Sequence, residues 1–247
     1  NAVTPLPAAP DTPPSEAVLY PVRAIRRKNV GEALLASLFW PPASFLDVTL
    51  PPQSPADVVA YRGGKAFARR RRRRAVFESG RRRPLGQALA ASRTVLTTSI
   101  AEGFGFVFLE PWTAGRLLWG RALPYLCDSL TAAGMRLDHL YRGVRVPLAW
   151  VGREDLRCAL AAAWEKSLSC FGRPAPPGAA EAFLAPLDHW GHVDFGLLDE
   201  VRQQRVIALL LEHPRKLEVL EELNPVFIRA GREPDAAARV AANRRIV

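Results

Sequence analysis

Short apolar runs alternate with stretches of helical periodicity over the first half of the chain. The apolar runs predict strands at residues 17–22, 45–50, 75–78 and 94–98, with a fifth candidate at 117–119. Helical patterns lie between them at residues 30–39, 55–74 and 84–92, and the second opens with Ser54 as N-cap and Pro55 at the first helical position. Strands and helices that alternate every 20–30 residues or so are typical of βαβ units. The pattern therefore predicts an α/β fold, with a Rossmann-like parallel sheet flanked by helices.

The second half of the chain has a weaker pattern, which is mainly helical. Helical periodicity returns at residues 156–168, 197–211, 215–223 and 234–247, and a turn-rich segment spans 172–178. Residues 1–16 hold five prolines and predict an extended linker or the remnant of a preceding domain. Asn1 is not an initiator methionine, so we expect a trimmed chain. Residues 17–247 then form one domain with additional helices toward its C-terminus.

The composition is that of an ordinary globular protein. Of the 247 residues, 49% are apolar and 23% are charged. No apolar run reaches the roughly 18 residues of a membrane span, and no signal-peptide pattern is found at the start. The three cysteines (Cys127, Cys158 and Cys170) are odd in number and lack C-x-x-C spacing, which favours free thiols. Because free thiols are typical of a reducing compartment, we expect a cytoplasmic protein.

The net charge of +10 is concentrated in two arginine runs. Residues 69–74 and 81–83 contribute nine positive charges, and without them the net charge is +1. Such a run is compatible with a nucleic-acid-binding patch or a localisation signal. No aromatic residues alternate with the arginines of 69–74, as base stacking would need, so we favour a solvated helix end and no specific nucleic-acid partner.

The stretch from Thr97 to Glu110 links the fourth predicted strand to a helix-compatible run and carries two carboxylates. Glu102 and Glu110 have seven residues between them, among them Gly103 and Gly105. If the helix begins near Gly105, then Glu102 lies in the loop and Glu110 lies about a turn and a half into the helix. Helix N-termini present unpaired N–H groups, so the stretch predicts a site for a small polar ligand that carries phosphate. The plainer alternatives are turn glycines and a glutamate that favours the helix dipole.

Two cations follow the first predicted strand. Arg23 and Lys28 have four residues between them and lie where ligand-binding loops of a parallel sheet occur, after the carboxyl end of a strand. Together they could neutralise a diphosphate that also contacts the Glu102 loop. Taken alone, such a pair is more often ordinary surface charge.

These two motifs together resemble a known group of enzymes. Segment 99–115 resembles the E-x7-E region of retaining glycosyltransferases with the GT-B fold, and Arg23-x4-Lys28 resembles the arginine–lysine pair of their C-terminal domain. The motifs have the order and separation of that group and cover the core of residues 17–125. Val22 departs from the group's usual glycine, and Leu117 departs from its common proline, which concerns local loop shape and donor preference.

The resemblance implies a role for each motif residue. Arg23 and Lys28 would bind the diphosphate of a nucleotide-sugar donor, Glu102 would hydrogen-bond the transferred sugar, and Glu110 would hold the ribose hydroxyls. The catalytic residues it implies are Glu102, Arg23 and Lys28. The donor-binding residues it implies are Arg23, Lys28, Ser99, Glu102, Gly103, Phe104, Gly105 and Glu110.

The resemblance also implies partners and limits. Enzymes with the GT-B fold have two domains, and the N-terminal one normally supplies the acceptor site. This chain would then be the donor-binding half, would act on an unknown acceptor together with a missing N-terminal domain, and would be inactive alone. These enzymes typically need no metal, so no cofactor is expected besides the nucleotide-sugar donor.

Three other interpretations of the sequence stay open. A sugar-nucleotide epimerase uses a similar fold and ligand class, although the E-x7-E loop paired with Arg-x4-Lys argues against it. A non-catalytic nucleic-acid-binding module would instead use the arginine run. The cluster Asp188-His189-Trp190-Gly191-His192-Val193-Asp194 could be drawn as a metal site, but we favour a loop that packs Trp190 on the core.

Overall fold

The computed structural model describes residues 15–229 and 235–247, which form two compact units. The first unit contains the described residues up to Gly143 and those from Asn224 onward, and the second is Val144–Leu223. The sequence pattern, which predicts one domain over residues 17–247, places no boundary at these positions. Residues 1–14, most of the predicted linker, lie outside the described part of the chain, so the linker stays a prediction.

A five-stranded parallel sheet forms the centre of the first unit, in the order β3-β2-β1-β4-β5. Its strands are β1 (Ala17–Arg23), β2 (Phe45–Leu50), β3 (Ala75–Phe77), β4 (Thr94–Thr97) and β5 (Leu118–Gly120). All five predicted strands are present. In β1 to β4 the observed and predicted bounds differ by at most one residue, and β5 is shifted by one residue toward the C-terminus. The predicted α/β fold, a Rossmann-like parallel sheet flanked by helices, is confirmed.

Among the described residues up to Gly143, five helices accompany this sheet. They are α1 (Val30–Ala36), α2 (Pro55–Arg70), α3 (Leu85–Ala91), α4 (Glu110–Thr113) and α5 (Pro124–Ala132). Pro55 opens α2 as predicted, but the Ser54 side chain makes no capping hydrogen bond. The helix also ends earlier than predicted, because the chain turns through Arg72 in a left-handed conformation (φ 50°) before β3. The pattern after Pro124 is too weak to predict α5.

Apolar side chains cover both faces of the central strands, as expected for a parallel sheet with helices on its two sides. On one face, Leu19, Val95 and Leu118 pack in a cluster with Phe108 and Trp112. The other face carries an aromatic group built from Phe39, Trp119, Tyr141 and Phe227, with ring centroids 5.1–5.9 Å apart. Strands β1 and β4 are thus held rigidly, and the loops at their ends have a fixed base.

The second unit is mainly helical, with a two-stranded antiparallel ribbon. Its helices are α6 (Leu148–Val151), α7 (Arg153–Ser169), α8 (Ala179–Trp190), α9 (Glu200–Glu212) and α10 (Arg215–Leu223), and its strands are β6 (Arg145–Pro147) and β7 (His192–Asp194). Helix α9 begins at a true N-cap, because the Asp199 carboxylate accepts a hydrogen bond from Arg202 N at 2.8 Å. After this unit the chain continues through α11 (Pro225–Ile228) and α12 (Ala236–Arg244), which belong to the first unit.

Two expectations about composition can be compared with the structure. The three cysteines are free thiols, with Cys127 buried and Cys158 and Cys170 exposed, as their odd number predicts. Among residues 15–229 and 235–247, every helix is too short or too polar to traverse a lipid bilayer.

Candidate functional site

The candidate site lies at the carboxyl ends of β1 and β4, which are neighbours in the sheet. From β1 the chain proceeds to β2 and β3 on one side, whereas β4 leads to β5 on the other. Such a reversal of strand order is a topological switch point, where the two connecting loops separate and leave a crevice for ligands. The loops that carry Arg23 and Lys28 on one strand and Glu102 on the other therefore border the same crevice.

The end of β1 is irregular, and this irregularity places Arg23. The pairing of β1 with β2 shifts register between Tyr20 and Arg23, where Pro21 has no N–H to donate. The Arg23 guanidinium donates to Pro51 O at 3.4 Å, in the segment that follows β2. It makes no ion pair with a carboxylate in the described residues. Arg23 thus lies at the predicted edge of the sheet and keeps its charge available.

A short 3-10 turn, Arg26–Lys28, follows β1 and presents Lys28 to the loop after β4. The Lys28 ammonium group contacts the Glu102 carboxylate, and both side chains are mostly buried, with 13% and 8% of their surfaces exposed. Arg27 approaches the same carboxylate at 3.4 Å and the Ala101 carbonyl at 3.3 Å. Two of the motif residues, 74 positions apart in sequence, are therefore brought together.

Buried hydroxyl groups hold the loops after β1 and β4 in place. The Tyr20 hydroxyl donates to the Lys28 carbonyl and accepts a hydrogen bond from Thr98 N at 3.2 Å. The Thr98 hydroxyl lies 3.1 Å from the Lys28 carbonyl and 3.0 Å from the Asn29 carbonyl. Desolvation raises the pKa of the fully buried Tyr20 hydroxyl well above its ordinary value, so it stays a neutral donor. The backbone of Lys28 is consequently held in one position.

Tyr125 on α5 fixes the backbone of Glu102. Its hydroxyl accepts from Glu102 N at 2.7 Å and donates to Glu102 O at 3.0 Å, although the side chain is 57% exposed. Neither Tyr125 nor Arg27 was singled out by sequence reasoning, because the local pattern around each one shows no link to a loop more than 20 residues away. The residues around the glycine-bearing loop do not indicate that Tyr125 or Arg27 contacts it.

The loop after Glu102 exposes two aromatic rings. Phe104 is 83% exposed, and its ring stacks on that of Phe106 with the centroids 5.9 Å apart. Gly105 has a φ of 71° and lies buried against Leu126, so the turn between the two rings needs glycine. Gly103 has open space where a Cβ would be, so its backbone is accessible to a ligand.

The predicted helix start near Gly105 is wrong. Gly105 is followed by a single 3-10 turn, Phe106–Phe108, and α4 begins only at Glu110. Glu110 is therefore the first residue of a four-residue helix, not a residue a turn and a half into a longer one. An extended helix whose N-terminus could hold a phosphate does not follow the loop, because the left-handed Gly105 and the bulky Phe108 and Trp112 redirect the chain into the core.

Glu110 is the second carboxylate of the motif and lies at the start of α4. Partial burial raises the pKa of its carboxyl group above the ordinary value. Within residues 15–229 and 235–247 its carboxylate has no hydrogen bond and no ion pair. A half-buried acceptor of this kind is suited to a ligand that donates hydrogen bonds.

Ser99 differs from the other motif residues. It is fully buried, and its hydroxyl lies 3.4 Å from that of Tyr20. Its side chain is therefore not exposed to solvent in this structure, and its donor-binding role stays a prediction. Its contact with Tyr20 supports the loop that carries Glu102.

The other sequence candidates lie elsewhere. Trp190 ends α8 with 58% of its surface exposed and stacks beside His192, so the predicted loop that packs Trp190 on the core is wrong. Asp188 pairs with Arg153 at 2.9 Å. The described residues hold no group of three or more histidine, cysteine, aspartate or glutamate side chains that could share a metal ion. The arginine run 69–74 covers the end of α2 and the turn into β3, at the edge of the sheet.

Comparisons with known proteins leave the family open. No protein-family model matches the chain, and no curated protein matches it. Among solved structures, the chain is similar to a chain in the crystal structure of a GtfA/B complex, with a TM-score of 0.40 and 20% sequence identity. The match covers 85% of this chain and 38% of that one, so this chain spans well under half of that chain's length. At this level, the similarity assigns neither a family nor an activity.

Proposed function

We propose that this chain binds a nucleotide-diphosphate sugar and forms the donor-binding half of a retaining glycosyltransferase of the GT-B type. The observation that supports this best is the contact between Lys28 and Glu102 across the switch point between β1 and β4. It joins the two motifs of the resemblance at the edge where an open parallel sheet binds its ligands. The Glu110 carboxylate, partly buried and without a partner in the described residues, adds an acceptor for ligand hydroxyls.

Each motif residue has a physical role in this proposal. When the bond between the sugar and the diphosphate breaks, its electron pair leaves with the diphosphate, and negative charge grows on that oxygen. The positive charges of Arg23 and Lys28 lower the barrier by stabilising this charge. Glu102 accepts hydrogen bonds from the transferred sugar, beside the exposed backbone of Gly103. Glu110 accepts hydrogen bonds from the ribose hydroxyls.

In the same proposal, the acceptor is bound by a part of the enzyme other than this chain. Its hydroxyl oxygen forms the new bond to the sugar carbon on the face that the diphosphate leaves, and its proton passes to the departing diphosphate oxygen. In the enzymes that the chain resembles, a second domain normally supplies the acceptor site. We therefore expect donor binding by this chain and no sugar transfer by this chain alone, and measurable transfer would contradict that expectation.

Donor binding is tested by thermal unfolding in the presence of uridine, guanosine and adenosine diphosphate-sugars. A ligand present at about 100 times its Kd stabilises the folded state by about 2.7 kcal/mol, which corresponds to a rise in Tm of roughly 5–10 °C for a unit of this size. The variants Lys28→Ala and Glu110→Ala should lose this response. Lys65→Ala, which breaks a lysine–glutamate pair with Glu78 at 2.9 Å elsewhere in the same unit, is the matched control and should keep it.

The outcomes decide between functions. If Lys28→Ala and Glu110→Ala both keep the response, the proposed site is misplaced. If no nucleotide-sugar raises Tm but duplex DNA binds with an affinity that falls steeply with salt, a nucleic-acid-binding module that uses the arginine run 69–74 replaces the proposal. Conversion of a bound sugar nucleotide into its epimer, without any acceptor, would favour the epimerase.

A further inference from the structure

We propose that the buried ion pair between Glu32 and Arg121 is a positioning device for Lys28, and this inference rests on the proposed donor site. Glu32 lies in α1, directly after the loop that carries Lys28, and Arg121 follows β5. Neither residue belongs to the sequence motifs. Both are almost completely buried, with side-chain exposures of 0% and 5%.

The Glu32 carboxylate is hydrogen-bonded on both oxygens. Oε1 accepts from Arg121 Nε at 3.0 Å and from the Tyr141 hydroxyl at 2.6 Å. Oε2 accepts from Arg121 Nη2 and from Asn29 Nδ2, the latter at 2.9 Å. The Arg121 guanidinium also lies 5.8 Å from the centre of the Tyr141 ring. The bidentate pair is therefore fixed in direction as well as in distance.

Asn29 transmits this geometry to Lys28. It directly follows Lys28 and adopts a left-handed conformation, with φ 54° and ψ 51°, which asparagine adopts more readily than other non-glycine residues because its side chain can form local hydrogen bonds. Its side-chain amide is bonded to Glu32, and its carbonyl lies 3.0 Å from the Thr98 hydroxyl. These bonds hold Asn29 in the conformation that ends the 3-10 turn and directs Lys28 toward Glu102.

Arg121 and Tyr141 anchor the other end of the device to the sheet. Arg121 N donates to Thr97 O at 2.7 Å, at the carboxyl end of β4, and Tyr141 N donates to Gly120 O at 3.0 Å. The hydrogen bonds thus run from the loop after β1, past the end of β4, to the segment after β5. They tie together the two sides of the switch point, between which the proposed donor site lies.

Stability alone does not account for this pair. Removing a carboxylate and a guanidinium from water costs several kcal/mol for each ion, and well-packed apolar residues often replace such pairs without loss of stability. What apolar residues lack is directional bonding. A positioning role therefore predicts energetic coupling between this network and Lys28, whereas a purely structural role predicts effects that add independently.

The test is a double-mutant cycle in the ligand-free chain. Tyr141→Phe removes one hydrogen bond to Glu32 and keeps the ion pair and the ring. Its effect on the unfolding equilibrium constant is measured in the wild-type background and with Lys28→Ala. We expect the two effects to differ by more than about threefold, since coupled residues depart from additivity by more than independent ones do. Tyr61→Phe, which removes a hydroxyl bonded to Glu78 at 3.0 Å, is the matched control and should show no coupling to Lys28.

Donor affinity gives the second readout. In Tyr141→Phe, and in Glu32→Gln if that variant folds, we expect the Kd of the nucleotide-sugar to rise by about twofold to thirtyfold. Additive stabilities, or an unchanged Kd with a lowered Tm, would overturn the positioning role. If the wild-type chain binds no nucleotide-sugar, the proposed function fails, while the ligand-free cycle still decides whether the network positions Lys28.

Discussion

Replacing Gly120 by alanine is expected to disrupt the sheet directly beside the candidate site. Gly120 is the last residue of β5 and has a φ of 142°, a conformation that other residues rarely adopt. A Cβ at this position would lie 1.9 Å from Thr97 O and 2.8 Å from Thr97 N. Because these atoms belong to the backbone of β4, no change of rotamer can relieve the overlap. The two strands must separate locally.

The size of the effect follows from two contributions. A non-glycine residue held in such a backbone conformation costs about 1–3 kcal/mol. Separation of the strands also weakens the hydrogen bonds from Arg121 N to Thr97 O (2.7 Å) and from Tyr141 N to Gly120 O (3.0 Å), each worth about 1 kcal/mol. The sum is about 3–5 kcal/mol, a large part of the 5–15 kcal/mol or so that stabilises an ordinary domain.

Equilibrium unfolding in urea measures this loss. With a typical denaturant dependence of about 1–3 kcal/mol per molar urea, the midpoint should fall by at least about 1 M. Gly103→Ala is the matched control, because no atom lies within 4 Å of its ideal Cβ, and its stability should change by at most about 0.5 kcal/mol. A loss in Gly120→Ala below about 1 kcal/mol, or one equal to that of the control, would refute the reasoning.

Three further predictions follow from burial. The folded-state pKa of Glu110 is raised by desolvation above its ordinary 4.5, so its ionisation opposes folding. Glu110→Gln should therefore raise Tm at neutral pH, with a gain that disappears as pH falls below about 4.5, where both states are protonated; a gain independent of pH would contradict this. Trp112→Ala removes a fully buried ring and should cost about 3–5 kcal/mol in urea unfolding; a loss under about 1 kcal/mol would place that ring outside the core. A thiol reagent should label the exposed Cys158 and Cys170 rapidly, whereas Cys127, buried and with a raised pKa, should react only on unfolding; rapid labelling of three thiols would contradict its burial.

The sheet could be predicted from the sequence because its strands are short apolar runs bounded by turn residues. The runs that became β1, β2 and β4 are mostly buried on both faces, and each has an apolar centre that is easy to recognise, although Asp47 and Thr49 interrupt β2. Strand β5 ends one residue later than predicted, at Gly120. That glycine has no strand propensity of its own, and only its close approach to Thr97 O, a tertiary contact, explains its position.

Helices were predicted less well where a strong local signal conflicted with the fold. Helix α8 contains Pro186 and lies between Gly178 and Gly191, so its sequence resembles a turn region. The surrounding side chains nevertheless bury Leu184 and Leu187, and packing outweighs the local preference. Conversely, the helix expected after Gly105 is reduced to short turns, because Phe108 and Trp112 are drawn into the core.

The candidate site was predictable only in part, for a related reason. Motif spacing indicates which loops meet, since the carboxyl ends of neighbouring parallel strands share one edge, and the Lys28–Glu102 contact agrees with that geometry. The motif spacing contains no information on which other residues support those loops. Tyr125 and Arg121 arrive from segments more than 20 residues away. Their contacts depend on the folded backbone and leave no periodic trace in the sequence.

The arginine run has a consequence for self-association. Strand β3 is an edge strand of only three residues, and its outer side offers unpaired backbone groups to any other strand. The arginine run 69–74 ends directly before this strand, and residues 81–83 follow it after Glu78, Ser79 and Gly80. A second copy that docks there would therefore bring its own cations close to those of the first. This mutual repulsion keeps the edge free at low ionic strength. It is screened over about 10 Å at 0.1 M salt, so added salt weakens this protection against edge-to-edge assembly.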